Sequence, residues 1–403
     1  RVSNYWKYSK GQNKGLTRLN TIEKKKQMEA DFMDWVNANP ERRDEYGMVL
    51  DNLGEAYEKY RKVRKSIFYL NEAGIAPEIT RVALRFFRLR GALKQAVEQD
   101  DNSALMAQLP GVRKYGLEDF YPEYIPELDE EVFAAMTHRM YHDLPKDQLP
   151  AALVEAYDDY DGDFAEYAKD VYEDSYFSSQ EGFEEFLELA EKPKKMLKKL
   201  EKDPAYIFTS STIMNYYMML APVAEAFNTE AEHNYRKLVK GLKEWKNDKI
   251  FYPDANFTMR LTYGTVADYD PMDAVHYDDM TYLVGVMEKE DPNNDEFIVH
   301  PKLKMLYNSK DYGQYAADNG KLPVCFINTT DITGGNSGSP VLNGDGHIVG
   351  LAFDGNWEAM TGDIVFDKEL KRTINVDIRY VLFVVDKFGG CSRLIDEMDL
   401  VSK

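Results

Sequence analysis

The hydrophobic pattern of this chain changes near residue 250, and that change limits the folds open to it. Up to that point, apolar residues recur at helical spacing, as in Thr21–Val36, where Met28, Phe32 and Trp35 fall on one face. Beyond it, short alternating or β-branched runs are separated by turn residues, and this remainder holds 14 of the 25 glycines. The sequence therefore predicts a large all-α part followed by an antiparallel β part.

The helical part contains further amphipathic segments that end at proline, glycine or aspartate. They are Glu41–Leu70, Pro77–Gln99, Glu130–His142, Gln180–Lys202 and Ser211–Trp245, with breaks at Asp158–Asp163 and Lys202–Pro204. Aromatic residues at helical spacing usually pack in a core, which is the role expected of Tyr57, Tyr60, Phe68, Tyr69, Phe86 and Phe87. No fixed-period repeat is present in the sequence, so a solenoid is not predicted.

The β part reads as short strands separated by long loops. Strands are predicted for Met259–Tyr263, Tyr282–Val286, Leu322–Ile327, Pro340–Leu342, His347–Phe353 and Thr373–Val376. Asn343–Gly346 has the residues of a tight turn, which makes the two strands beside it a hairpin. Asp377–Phe388 fits either a strand or a helix.

Length and charge exclude some classes of protein. The chain has 403 residues, enough for two or three domains, and a formal net charge of −20. An acidic surface disfavours nucleic acid, which is bound by clustered Lys and Arg. The longest apolar run, Tyr380–Val385, is far shorter than the roughly 20 residues of a membrane-spanning helix, so no membrane insertion is expected. The first residue is Arg1 rather than Met, which suggests a processed or truncated amino terminus.

Cysteine usage is low. Cys325 and Cys391 are too few for a disulfide framework and lack metal-ligand spacing. Both lie in apolar sequence, so buried free thiols are expected. In an oxidising compartment, one disulfide between them is the alternative. The cysteines therefore predict neither a metal site nor a fold stabilised by several disulfides.

The segment Asp331–Pro340 carries the chemistry. A serine becomes a nucleophile when a tight turn presents its hydroxyl beside a base and beside donors for an oxyanion. Gly334 and Gly335 permit the turn, and the amides of Gly335 and Ser337 can then converge to form an oxyanion hole. Ser337 is therefore the candidate nucleophile, and Gly335 the candidate oxyanion-hole residue.

The run Gly335-Asn-Ser-Gly-Ser-Pro340 resembles the nucleophile signature of chymotrypsin-fold peptidases, which commonly reads Gly-Asp-Ser-Gly-Gly-Pro. Ser339 competes for the nucleophile role on sequence alone, but it aligns with a glycine of that signature. A glycine-rich hairpin loop without chemistry is the structural alternative.

A serine triad also needs a histidine base held by a carboxylate. The histidines are His138, His142, His233, His276, His300 and His347. His276, with Asp278 close by, has the chain order His, Asp, Ser of chymotrypsin. However, chymotrypsin-type peptidases place the histidine base in their first barrel, well before the carboxylate, and only one barrel is visible in this sequence. We therefore expect the base and its carboxylate upstream of Arg1, so that this polypeptide alone would be catalytically incompetent.

The combination of a long helical domain with such a barrel resembles the dipeptidyl-peptidase 7 and 11 family of bacterial serine exopeptidases, with dipeptidyl-peptidase 7 as the nearer branch. The resemblance rests on Val2–Lys7, Tyr252–Thr258, Leu261–Gly264, Asp331–Pro340, Gly350–Glu358 and Val376–Leu382. It implies a multidomain α and β fold in which a helical domain is inserted into a two-barrel catalytic domain and caps the active site. The implied domains are 1–16, the end of the first barrel and its linker; 17–250, the α-helical cap; and 251–403, the chymotrypsin-like second barrel with a C-terminal segment.

The resemblance also implies a reaction and a site. Dipeptides are released from free peptide amino termini, and Asp354 matches the family's amine-binding aspartate, with Asn4 as a further amine ligand. Gly355 stands where the branch that cuts after Asp or Glu has an arginine, so a hydrophobic residue is expected before the scissile bond. Asp331, read alone, instead predicts cleavage after Lys or Arg; a loop-supporting role fits the rest of the sequence better.

The remaining implications concern context. The family uses no metal or other cofactor, acts on peptides, is usually a homodimer, and works in the periplasm or at the cell surface of Gram-negative bacteria. Two other functions stay open: a non-catalytic peptide-binding module, and a chymotrypsin-fold endopeptidase.

Overall fold

The chain folds into two compact units, one mostly helical and one that combines helices with antiparallel sheets. The computed structural model describes residues 2–253, 256, 258–362 and 364–401, with side chains from Tyr5 onward. One unit comprises Asp34–Asn247, and the other comprises Arg1–Met33 with Asp248–Lys403. Throughout the described ranges, no helix is both long and apolar enough to cross a membrane.

Helices account for most of the structure. The α-helices are α1 (Val2–Arg18), α2 (Thr21–Asn37), α3 (Pro40–Tyr46), α4 (Val49–Tyr69), α5 (Glu78–Glu98), α6 (Ser103–Lys114), α7 (Pro126–Asp143), α8 (Ala151–Asp159), α9 (Phe164–Asp174), α10 (Gln180–Glu188), α11 (Pro193–Leu200), α12 (Pro204–Asn215), α13 (Ala221–Trp245), α14 (Leu283–Glu288), α15 (Pro301–Ser309), α16 (Ile378–Phe383) and α17 (Ser392–Asp396). Wider π-helical turns follow α4, α6, α12 and α16 at Leu70–Ile75, Tyr115–Phe120, Tyr216–Leu220 and Val384–Phe388.

The predicted helical segments are confirmed, and their capping residues explain where they begin. Asn39 accepts hydrogen bonds from the amides of Glu41 and Arg42 at the start of α3. Asp163 and Asp203 do the same for α9 and α12, at the two breaks that the sequence indicates. The expectation that all the clustered aromatics are core is only partly right. Phe86 is fully buried, but Tyr57 and Phe68 are 43% and 53% exposed.

Asp129 is a buried acceptor of four hydrogen bonds in the core of the helical unit. Its side chain is buried and accepts the amides of Glu78 at 2.7 Å and Ile79 at 2.8 Å, which are otherwise unpaired donors in the first turn of α5. Its carboxylate also accepts the hydroxyls of Tyr172 at 2.6 Å and Tyr124 at 3.3 Å. Burial near this carboxylate raises the pKa of both tyrosines, so they stay protonated donors.

The second unit contains two antiparallel sheets. Its strands are β1 (Tyr269–Met272), β2 (Val275–Tyr277), β3 (Met280–Tyr282), β4 (Pro323–Asn328), β5 (Pro340–Leu342), β6 (Ile348–Gly355) and β7 (Thr373–Asp377). β1 and β2 form a ribbon, and the other five form a sheet in the order β3-β4-β7-β6-β5. Over the described residues this larger sheet is open, so the predicted closed barrel is not seen, whereas the antiparallel β character is.

The strand predictions for β4 to β7 are confirmed, as is the β5–β6 hairpin, whose turn closes through Asn343 and His347. Two other strand predictions are wrong. Met259–Tyr263 alternates in sequence but forms no strand, and Met259, Leu261 and Tyr263 are 87% exposed or more. Tyr282 does end a strand, but the residues after it turn into α14. The ambiguous segment after Asp377 is helical.

Two buried cations just before the central strand β7 hold neighbouring loops in place. Lys371, whose side chain is 3% exposed, pairs with Asp331 and donates to the carbonyl of Ile332 at 3.3 Å. Arg372 donates to the carbonyls of Ala267 at 3.1 Å and Asp268 at 2.7 Å. A buried charge is stable only when such partners surround it, so each cation specifies the path of a distant loop.

The small ribbon is held by side chains on its surface. Tyr269 and Tyr277 stack across the two strands with ring centroids 5.3 Å apart. His276 contacts Asp270 through Nδ1 at 2.8 Å and Asp268 and Asp278 through Nε2 at 3.6 and 3.4 Å. The hydrogen bond to Asp270, aided by the charges of all three aspartates, raises the pKa of His276.

Replacement of Asp129 should destabilise the helical unit strongly. Asp129→Ala leaves two amides and two tyrosine hydroxyls without their acceptor, so we expect a loss of about 3 kcal/mol in the free energy of unfolding. Urea unfolding followed by far-UV circular dichroism measures it. Glu131→Ala, an exposed change on the same helix, is the matched control and should stay within about 0.5 kcal/mol of wild type. Equal effects of the two changes would contradict this role for Asp129.

His276 should stabilise the ribbon only while it is protonated. A raised folded-state pKa gives stability that is fully present below the unfolded value of about 6.5 and is lost as pH rises through the folded value. We expect His276→Gln to lower the amide-exchange protection factors of β1 and β2 at pH 6 and to leave them unchanged at pH 9. Equal protection of wild type and variant at pH 6 would show that the ion pairs contribute nothing.

Candidate active site

The predicted nucleophile loop lies between β4 and β5 and is fastened to β6. Gly338 donates its amide to the carbonyl of Ala352 at 2.7 Å, and Ala352 donates back to Ser339 at 2.9 Å. Within the loop, the amide of Thr333 donates to Oδ1 of Asn336 at 3.2 Å, and the amide of Asn336 donates to the carbonyl of Thr333 at 3.3 Å. The loop is therefore a closed turn attached to a rigid strand.

Glycine is required at two points of this turn. Gly335 has φ +96° and Gly338 has φ +87°, values that other residues rarely adopt. Apart from each glycine and its two chain neighbours, no described heavy atom lies within 4 Å of the position that a Cβ would occupy on either residue. Backbone conformation, rather than crowding, explains both glycines, and the space beside Ser337 stays open.

Ser337 lies exposed at the tip of the turn, as the sequence predicts for a nucleophile. Its Oγ donates to the carbonyl of Phe353 at 3.1 Å. Among the residues that the structure describes, the amides of Gly335 and Ser337 donate no hydrogen bond. Ser339 is half-buried, and its amide is used to close the turn on Asn336 at 3.0 Å. Of the two serines, Ser337 has the accessible hydroxyl.

A bulge in β6 brings Asp354 close to Ser337. The register with β7 shifts between Ala352 and Asp354, so Phe353 is an extra residue in the strand. Its carbonyl meets the hydroxyl of Ser337, and Asp354 follows directly. The sequence places Ser337 and Asp354 at one site. In the structure, Ser337 contacts the residue directly before Asp354.

Asp354 has a partner that the sequence analysis missed. Nζ of Lys7 lies 2.7 Å from Oδ1 and 2.6 Å from Oδ2 of Asp354, and the amide of Gly355 donates to Oδ1 at 2.8 Å. Asn4, the other predicted amine ligand, is on α1 one turn before Lys7, but its side chain lies outside the described residues.

Helix α1 is held closely against the turn Trp357–Thr361. A Cβ on Gly11 would lie 2.5 Å from Cγ of Met360, and one on Gly15 would lie 2.4 Å from Cγ2 of Thr361. Two glycines four residues apart on a helix mark such a close approach, and Lys7 lies four residues earlier on the same face. This spacing could have indicated that Lys7 faces a closely packed segment, but not that its partner is Asp354.

Gly355 lies beside an apolar surface. A Cβ on this residue would be 2.9 Å from Cβ of Ala359 and 3.8 Å from Cε of Met360. These two side chains come from the turn that follows β6. Neither carries a charge that would attract an acidic or basic substrate side chain.

Asp331 does not present a free carboxylate. It pairs with the buried Lys371 and accepts the hydroxyl of Tyr252 at 2.7 Å. Its amide donates to Oγ1 of Thr262 at 3.0 Å. Since its charge is already matched, Asp331 supports the loop, as the sequence analysis prefers, and cannot readily select a basic residue.

None of the six histidines hydrogen bonds to Ser337 within the described ranges. Both ring nitrogens of His276 face the aspartates of the β1–β2 ribbon. His300 caps α15 by accepting the amide of Lys302 at 3.1 Å, and His138 packs on His142 with ring centroids 4.4 Å apart. The arrangement gives no support to His276 as the base.

The two cysteines are free thiols, but they are not both buried. Cys325 is half-buried, and burial raises its pKa, whereas Cys391 is exposed. The expectation of two buried thiols is therefore met only in part by Cys325 and is wrong for Cys391, which follows the π-helical turn after α16. Neither thiol contacts the loop that contains Ser337 in the described part of the chain.

Comparisons with known proteins find dipeptidyl-peptidases among the relatives of this chain. The chain is 40% identical over 404 residues to dipeptidyl-peptidase 7 of Phocaeicola vulgatus, covering 99% of this chain and 54% of the relative. It is 37% identical over 406 residues to an Asp/Glu-specific dipeptidyl-peptidase of Flavobacterium psychrophilum, again with 99% and 54% coverage. The chain thus spans about half the length of these relatives.

A solved structure extends the agreement to the fold. The crystal structure of Porphyromonas endodontalis DPP11 in complex with the dipeptide Arg-Glu matches with a TM-score of 0.84 at 33% identity, over 97% of this chain and 54% of that one. The family model described as Peptidase S46 matches residues 1–400. Fold and sequence agree, and the chain belongs to the peptidase S46 family.

Proposed function

We propose that this chain carries the nucleophile and the amino-terminus-binding side of a dipeptidyl-peptidase that releases dipeptides from free peptide amino termini. The observation that carries the proposal is the juxtaposition of an exposed serine hydroxyl, two unused amides and a carboxylate. Ser337 donates to the carbonyl of Phe353, and Asp354 is the next residue. An extended dipeptide spans about 7 Å, so a carboxylate one residue from that contact lies within its reach.

Ser337 is the nucleophile in this proposal. Its Oγ attacks the carbonyl carbon of the second substrate residue while a base removes the hydroxyl proton. The base then gives that proton to the leaving amine as the bond to the amine breaks. The amides of Gly335 and Ser337 stabilise the negative oxygen of the intermediate, which is consistent with their lack of acceptors in the described residues. Water then cleaves the acyl-enzyme and releases the dipeptide.

The base and its carboxylate are proposed to come from outside the sequence 1–403. Two observations support this: the described histidines make no contact with Ser337, and the relatives are about twice as long as this chain. We also infer that the five-stranded sheet, although open over the described residues, corresponds to the second barrel of a chymotrypsin-type pair, since its β5–β6 hairpin follows the nucleophile loop. The helical domain is then 17–250 and the barrel 251–403.

Asp354 is proposed to bind the substrate's amino terminus. A carboxylate with a 45% exposed side chain can exchange partners with an incoming ammonium group. Asn4 is its proposed helper, on the helix that approaches Asp354. An acetylated amino terminus carries no charge and should not bind here.

A hydrophobic residue is proposed before the scissile bond. The support is the apolar surface of Ala359 and Met360 beside Gly355, together with the neutralised charge of Asp331. By resemblance alone, we extend the proposal to a homodimer in the periplasm or at the cell surface of a Gram-negative bacterium. Cell fractionation and sedimentation analysis test those two points.

Replacement of Ser337 should abolish dipeptide release. We expect Ser337→Ala to lower kcat/KM by at least about 10⁴-fold, because the covalent step is lost. The assay uses the protein expressed with all the residues that its gene encodes, on hydrophobic dipeptidyl-coumarin substrates with free and acetylated amino termini. Ser339→Ala is the control and should stay within about tenfold of wild type. Retained turnover in Ser337→Ala would refute the assignment, and cleavage of acetylated substrates would indicate an endopeptidase.

Position 355 should control which residue precedes the scissile bond. Gly355→Arg is expected to raise the ratio of kcat/KM for Glu over Leu at least about tenfold, because it introduces a guanidinium that can pair with a carboxylate. Gly355→Gln, similar in length but uncharged, should lose activity on Leu without gaining it on Glu. An unchanged ratio in the arginine variant would place the specificity pocket elsewhere.

A further inference from the structure

The proposed amine-binding carboxylate is already occupied by a cation of the same chain. Both oxygens of Asp354 lie within 2.7 Å of Nζ of Lys7, and Oδ1 accepts the amide of Gly355 as well. A carboxylate oxygen accepts about two hydrogen bonds. Oδ1 is therefore filled, and Oδ2 retains room for one more donor.

The position of Lys7 is built into the fold. Lys7, Gly11 and Gly15 follow one another at four-residue spacing on α1, and the two glycines contact Met360 and Thr361. Beside them, the rings of Trp6 and Trp357 meet edge to face with centroids 5.6 Å apart. These contacts hold the helix next to the segment that follows Asp354. The backbone of Lys7 is therefore held in place while its side chain reaches the carboxylate, and this side chain is only 28% exposed.

We propose that Lys7 determines how strongly free amino termini bind, by competing with them for Asp354. This inference rests on the proposed function, in which Asp354 binds the substrate ammonium. The ε-ammonium of lysine and the α-ammonium of a peptide are the same kind of donor, so each can take the place of the other at the carboxylate. With Lys7 in place, Asp354 and its partner carry no net charge, and the substrate exchanges one ion pair for another.

The competition weakens binding without changing the chemical step. A partly exposed ion pair contributes little, so the expected effect on affinity is about two- to fivefold. The amino terminus is held equally in the ground state and the transition state, so the effect falls on KM and leaves kcat unchanged. It also makes binding less sensitive to salt, because the site attracts the substrate through a neutral pair rather than a bare carboxylate.

Steady-state kinetics of Lys7→Met test the proposal on a hydrophobic dipeptidyl-coumarin with a free amino terminus. We expect KM to fall about two- to fivefold at constant kcat, and to rise more steeply with salt than in wild type. Lys7→Arg, which keeps the cation, should resemble wild type. Lys14→Met removes an exposed lysine from the same helix and should change nothing. In an Asp354→Asn background, Lys7→Met should have no effect, since the acceptor charge is gone.

The outcomes separate this inference from the proposed function. Absence of dipeptide release by wild type, or release by Ser337→Ala, would refute the peptidase assignment. Independently of turnover, calorimetry measures the Kd of a hydrophobic dipeptide with a free amino terminus. The Kd for Ser337→Ala is compared with the Kd for Ser337→Ala/Lys7→Met. Tighter binding or lower KM on loss of Lys7 supports competition. An unchanged or raised KM or Kd on loss of Lys7 overturns it, as does an effect of Lys7→Met that persists in the Asp354→Asn background.

Discussion

The hydrogen bonds between the nucleophile loop and β6 are the constraint on which the site depends. Gly338 and Ser339 exchange backbone hydrogen bonds with Ala352, at 2.7 and 2.9 Å, where the strand is about to bulge. This pairing fixes the distance between Ser337 and Phe353, and through the chain it also fixes Asp354. The loop and β6 together therefore set the spacing between Ser337 and Asp354 on which the proposed release of dipeptides depends.

Two carboxylates near this strand are each paired with a lysine. Asp331 is neutralised by a buried lysine and Asp354 by a half-buried one. The Lys371–Asp331 and Lys7–Asp354 ion pairs differ in their exposure to solvent. Lys371 is enclosed and holds its partner as part of the loop, whereas the Lys7–Asp354 pair is more exposed, as the proposed exchange with a substrate cation requires. Exposure therefore distinguishes Asp331, which supports the loop, from Asp354, which is proposed to bind a ligand.

Local sequence was sufficient for the parts of the structure that local interactions determine. The helices follow from periodicity and caps such as Asp163 and Asp203, and the hairpin before β6 follows from Asn343–Gly346. The glycines flanking Ser337 predicted the turn because only that residue type adopts its dihedral angles. What could not be predicted depends on distant contacts. Lys7 and Asp354 are 347 positions apart, and Met259–Tyr263 has the alternation of a strand but no partner strand in the described residues.

The account's central claim is that Ser337 is the reactive hydroxyl beside a site for a free amino terminus. Mass spectrometry of the protein, expressed with all the residues that its gene encodes and treated with a fluorophosphonate, tests this most directly. The account predicts one modified peptide, carrying the label on Ser337, and protection from labelling by a hydrophobic dipeptide but not by its acetylated form. A label on Ser339, no label at all, or equal protection by both dipeptides would contradict it.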